Sequence, residues 1–151
     1  MQKWSQDGTR LERTGWRDDT ISLRHRLWGF DCPCTDVDFL LIEYHIAEPV
    51  ALVEYKHFQA GFPNLQQAGY RALKRLAEKA ELPLLLTFYW PEIWAFRVYP
   101  LNDAAKRHFQ KKDDLSEYDY VSRLHQMRRI VLTQEMAKSL NTIKPPKDSE
   151  D

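Results

Sequence analysis

The sequence is short of cysteine, of net charge and of long apolar runs, and each shortage removes a class of protein. Cys32 and Cys34 are the only cysteines. Two thiols are too few for the disulfide framework of a small secreted fold and fit a reducing compartment. The 22 basic and 22 acidic residues cancel. A protein that coats nucleic acid indiscriminately would be basic, so any polyanion contact must come from local patches. No apolar stretch reaches the roughly 18 residues that a bilayer-spanning helix needs, and no membrane partner is expected. The opening residues 1–7 carry no apolar core of a secretory signal, so the expected location is the cytoplasm. Internal repeats and low-complexity tracts are absent. So are a glycine-rich phosphate loop, a Gly-x-Ser-x-Gly elbow and a His-Glu-x-x-His pair.

What remains is a chain of 151 residues with 43% apolar residues, enough for one domain with a core. The expected organisation is a single domain over 1–143, with an N-terminal arm over 1–15 and a disordered tail over 144–151. Asp18-Asp19-Thr20 suits a helix start, and a helix is expected through Trp28, although Ile21-Ser22-Leu23 also fits a strand. Asp38 to Tyr44 and Val50 to Lys56 read as strands joined by a short link, hence an antiparallel hairpin. The first is apolar almost throughout, which predicts cover on both faces. Asn64 predicts the N-cap of a helix from Leu65 to about Glu81. Strands follow at Leu84–Tyr89 and Ile93–Tyr99. Asn102 caps a short helix through Phe109, Lys111 to Asp114 reads as a loop, and Ser116 with Asp119 caps a helix to about Arg129. A last short helix starts at Thr133 or Gln134. The sum is an α/β fold, a small mixed central sheet flanked by helices.

Chemistry concentrates on the hairpin. Residues two apart in a strand share a face, so Glu54 and Lys56 point the same way. A turn centred near Ala47 sets Asp38 opposite Lys56 and Leu40 opposite Glu54. Asp38, Glu54 and Lys56 then emerge together. Two carboxylates on such a frame can converge on Mg²⁺ or Mn²⁺, which takes one or two carboxylates, waters and substrate phosphate. The backbone carbonyl of Tyr55 is a further candidate ligand. A bound metal acidifies its water and offsets phosphoryl charge, and a lysine there orients that water or neutralises developing charge. The competing explanation is a cross-strand salt bridge of little energetic weight. Against it stands the apolar surround, where charge is costly unless used.

Other signals are weaker. Asp36 is a second metal ligand or a turn residue. Arg71, Lys74 and Arg75, with Arg24 and Arg26 earlier, can line a DNA groove or form solvated helix faces. His57 follows the lysine and can touch a phosphate. Cys32, Cys34 and His25 make half a zinc site, short of the usual four ligands.

The ordered set Asp38, hairpin, Glu54-Tyr55-Lys56, amphipathic helix and apolar strand resembles the core of the PD-(D/E)XK nuclease superfamily, over roughly residues 36–100. The proline that precedes the family's first Asp is replaced by Val37. Gln66-x-x-x-Tyr70 after the motif resembles the exonuclease branch typified by RecB and lambda exonuclease. The resemblance implies a restriction-endonuclease-like core and metal-dependent hydrolysis of DNA, of a phage-type kind. It implies Asp38 and Glu54 on the metal, Lys56 on the water, and Gln66 and Tyr70 orienting the site. It also implies an acidic residue from the N-terminal region, for which Glu12, Asp18 and Asp19 are candidates. Double-strand cutting would need a homodimer or higher homo-oligomer. The alternative is an inactive DNA- or protein-binding module of the same fold.

Overall fold

The computed structural model describes residues 20–29 and 31–148, so the expected N-terminal arm, Glu12, Asp18 and Asp19 lie outside the described residues. The chain divides into two units, residues 1–35 and 36–151.

In the first unit the helical alternative holds: α1 spans Thr20–Leu27. Trp28 N donates to the Arg24 carbonyl at 3.1 Å, and the Trp28 carbonyl accepts from Asp31 N and Cys32 N. His25 Nδ1 and Cys34 Sγ come within 3.2 Å of each other, and both cysteines are free thiols.

The second unit carries a five-stranded mixed sheet in the order β1-β2-β3-β4-β5. The strands are β1 Phe39–Glu43, β2 Glu48–His57, β3 Leu84–Trp90, β4 Ala95–Pro100 and β5 Asp113–Leu115. β2 and β3 are parallel, and the other neighbours are antiparallel. The parallel step needs a crossover, and α2 (Ala68–Lys79) provides it. Among the described residues α3 (Asp103–Lys106) lies between β4 and β5, and α4 (Glu117–Met127) and α5 (Gln134–Ser139) follow β5.

The two sheet faces bury different partners. Leu52 and Leu84 pack with Leu73 and Ala77 of α2. On the other face Val53, Leu85, Phe96 and Val98 pack with Ala105, Phe109 and Tyr120. The expectation that the first strand is covered on both faces is overturned. β1 is an edge strand among the described residues, and Phe39 and Leu40 stay 59% and 48% exposed. The strand buried on both faces is β3, where Leu84, Leu85 and Leu86 have no exposure.

The capping expectations largely hold. Asn102 accepts from Ala105 N at 3.0 Å, Ser116 from Asp119 N at 3.1 Å and Thr133 from Met136 N at 3.2 Å. Asn102 also accepts from Leu84 N and donates to the Leu82 carbonyl, so one buried amide ties α3 to the start of β3. Three boundaries differ. α2 starts at Ala68, because the Asn64 side chain accepts from Gln66 N at 3.0 Å and its carbonyl from Gln67 N at 3.2 Å. That local turn competes with the first helical turn. β4 starts at Ala95, after a turn that holds Trp94 at φ 48. The expected loop at Lys111–Asp114 contains the start of β5 instead. A three-residue edge strand of two aspartates and one leucine is too short to carry a period-2 signal.

Of the expected tail, residues 144–148 are described and bonded to the sheet. Buried Arg97 donates to Asp114 at 2.6 Å, to Asp148 at 2.7 Å and to the Pro146 carbonyl at 3.0 Å, and Lys112 pairs with Asp148. No helix among the described residues is long and apolar enough to cross a membrane.

Candidate active site on the hairpin

The observed register pairs Phe39 with Val53, Leu40 with Leu52 and Leu41 with Ala51. It then slips by one residue, so that Ile42 pairs with Pro49 and Glu43 with Glu48. Leu40 is therefore opposite Leu52 and not Glu54, and the same register continued one step beyond Phe39 sets Asp38 across from Glu54, not Lys56. The cause lies in the connection. Tyr44–Ile46 form a single 3-10 turn, and Ala47 takes a left-handed conformation at φ 52, ψ 39. This compact turn, with the bulge beside Ile42, moves the hairpin centre towards the N-terminus. The displacement is an even number of residues, so the expected face survives: a pleat repeats every two positions.

That face is the α2 side, because Leu52, which packs on α2, is two residues before Glu54. Lys56 Nζ lies 4.0 Å from Glu54 Oε1, and the Glu54 side chain is 15% exposed. Burial raises the Glu54 carboxyl to about 6. The negative charge of Asp38 and a side-chain hydrogen bond with it push the same way, as does the charge of Asp36, while Lys56 opposes them. A carboxyl pair in this state favours either a shared proton or a cation. Asp36 and Asp38 are exposed at the open end of the hairpin.

The donor set suits Mg²⁺ or Mn²⁺ better than a closed protein cage. Two side-chain carboxylates leave room for the waters and phosphate that Mg²⁺ retains. Among the described residues, no group of three or more His, Cys, Asp or Glu side chains is arranged to hold a metal ion. His25 and Cys34 belong to the other unit and remain a two-residue contact.

The remaining expected residues fall into a second group. Gln66 lies in the turn before α2 and Tyr70 in its first turn, so the expected single helical face is not formed. Both still line one groove of about 380 Å³ along α2, together with Arg71, Lys74 and Arg75. Neither Asp38, Glu54 nor Lys56 lines it. Lys74 is partly neutralised by Glu78 at 3.8 Å, one helical turn on. His57 projects to the opposite sheet face from Lys56. Its Nδ1 accepts from Gln59 N at 3.2 Å, and its ring meets Tyr89 edge-on. Arg24 and Arg26 belong to α1 in the other unit.

Two supports were not legible beforehand. The Tyr55 ring turns to the α4 side, where its hydroxyl shares a hydrogen bond with buried Tyr120. Burial raises both phenols. This pins the backbone between Glu54 and Lys56. Arg128, just past α4, donates to Glu43 at 3.1 Å and holds the far end of β1. Both pairs link residues far apart in the chain, so periodicity carries no signal for them. Comparison of the chain with protein-family models, with curated proteins and with solved structures finds no match.

Proposed function

We propose that this chain is a metal-dependent DNA nuclease of the restriction-endonuclease-like kind. The observation that carries the proposal is the half-buried Glu54 opposite Asp38 with Lys56 at 4.0 Å. The element order of hairpin, crossover helix and parallel β3 supports it, as does the groove that combines Gln66 and Tyr70 with three cations.

In this proposal Asp38 and Glu54 hold Mg²⁺ or Mn²⁺, with the Tyr55 carbonyl as a further ligand and Asp36 beside them. The ion, when bound, acidifies a water and offsets charge on the phosphoryl oxygens. Lys56 directs its ammonium at that water or at a non-bridging phosphate oxygen and stabilises the charge that develops there. The water gives up a proton to solvent as its oxygen forms a new bond to phosphorus, the bond to the leaving sugar oxygen breaks, and the leaving oxygen takes up a proton from solvent. Arg71, Lys74 and Arg75 hold the phosphate backbone along α2, where contacts position without specifying sequence. Gln66 and Tyr70 orient the strand. One such site cuts one strand, so double-strand cutting would use a homodimer. Cytoplasmic, phage-type DNA processing is the setting we propose.

The test is cleavage of linear, circular, single-stranded and branched DNA with Mg²⁺ or Mn²⁺, with Asp38→Ala and Lys56→Ala alongside. Metal-dependent cutting that both variants lose supports the proposal. Cutting by the variants at the wild-type rate, or no cutting of any substrate, overturns it and leaves an inactive binding module.

A further inference from the structure

Beyond Lys56 the same strand leads into an aromatic pocket that the nuclease proposal does not use. Phe58 follows the last residue of β2, and its N–H donates to the Tyr89 carbonyl at 3.0 Å, which carries the parallel pairing one residue further. Its ring stacks on Trp90, the last residue of β3, with centroids 5.5 Å apart and planes 15° from parallel. Arg97 lies 5.2 Å over the Trp90 ring. Glu92 and Ile93 from the turn and Ile143, Lys144 and Pro146 from the C-terminal segment complete a pocket of about 340 Å³. The His57 ring lies 4.6 Å from the Phe58 ring at 35°, and Phe58 as a residue remains 36% exposed.

The position limits the occupant. Phe58 is two residues past Lys56, about 6.6 Å along an extended chain and on the same side of it. A phosphate held at Lys56 would carry its nucleoside into reach of this ring. The pocket is largely apolar, with Lys144 and Glu92 as its charged residues, so its aromatic surface and not its charge is what suits a base. Aromatic platforms beside cationic tracks take unpaired bases irrespective of sequence. A base inside a duplex keeps its faces on its neighbours and has none to offer.

We infer that Phe58 and Trp90 form a stacking site for an unpaired nucleobase, which makes single-stranded DNA, or the frayed end of a duplex, the preferred substrate. The inference rests on the nuclease proposal for the direction of the strand, and it is tested without cleavage. A fluorescent single-stranded oligonucleotide and the blunt duplex of the same sequence are titrated with the full chain in chelator, where no metal-dependent cutting occurs. Wild type is expected to bind the single strand at least about tenfold more tightly than the duplex. Phe58→Leu keeps the apolar volume and removes the ring; it should weaken single-strand binding about tenfold and leave duplex binding unchanged. Phe58→Trp should restore it. Equal affinity for both nucleic acids, or no effect of Phe58→Leu, overturns the stacking site. A chain that binds single strands through Phe58 but never cuts would remove the nuclease proposal and keep the base site. Cutting that ignores Phe58 would do the reverse.

Discussion

Glu54 lies across the hairpin from Asp38 and shares a side-chain hydrogen bond with it; burial foremost, and then this neighbour, hold the Glu54 carboxyl at about 6. Two of the neighbouring charges, Asp38 and Lys56, have opposite effects on it. Asp38 raises the value and Lys56 lowers it. Asp38→Asn should move the Glu54 titration down towards 4.5, and Lys56→Met should move it up. Carboxyl chemical shifts followed against pH read both, and a shift of the same sign in the two variants would contradict the arrangement.

The same group makes stability depend on pH in a defined direction. A carboxyl raised from 4.5 to about 6 binds its proton more tightly in the folded chain than in the unfolded one. Its contribution is therefore complete below 4.5 and is lost as pH rises through about 6. Glu54→Gln removes that loss. Urea midpoints of the variant and wild type should agree best near pH 4.5 and separate in favour of Glu54→Gln at pH 7.

A divalent cation would take over the role of the proton that Glu54 holds. Mn²⁺ is expected to raise the melting temperature of wild type at pH 7, as any ligand of the native state does. The rise should vanish in Asp38→Ala. Equal stabilisation of both proteins, read by calorimetry, would place the metal elsewhere.

Loss of Lys56 should act on the chemical step. Removing one preorganised charge-stabilising donor typically costs about 100-fold in turnover, so Lys56→Ala should cut DNA roughly that much more slowly, as single-turnover cleavage would show. Activity should also rise with pH through about 6, as Glu54 ionises.

The hydroxyl pair behind the site predicts a stability effect without a change of charge. Tyr120→Phe leaves the Tyr55 hydroxyl without its buried partner, a cost of about 1–2 kcal/mol. Tyr55→Phe together with Tyr120→Phe should cost less than the two single changes added, as denaturant unfolding would show.

The elements themselves were legible where a local rule governs them. α2 has apolar residues at helical spacing, and Leu73 and Ala77 are the ones buried. Ser116, Asn102 and Thr133 cap helices as short-range hydrogen-bond acceptors do. Legibility failed where two local rules compete. Asn64 satisfies either a helix start or a turn, and in the structure it closes the turn, which takes Gln66 off the helix. It failed again where only pairing creates the element, as in β5, whose Asp114 is held by Arg97.

The sequence by itself determined which side chains of the hairpin share a face. The pleat alternates every two residues, so Asp38, Glu54 and Lys56 keep one face under any even change of register. Tertiary structure decided the rest. The 3-10 turn, the left-handed Ala47 and the bulge chose Asp38 as the partner of Glu54. The sheet order made β1 an edge strand. Burial then turned an ordinary carboxylate into one that holds its proton to about 6, because desolvation depends on what packs around a residue and not on the residues beside it in the chain.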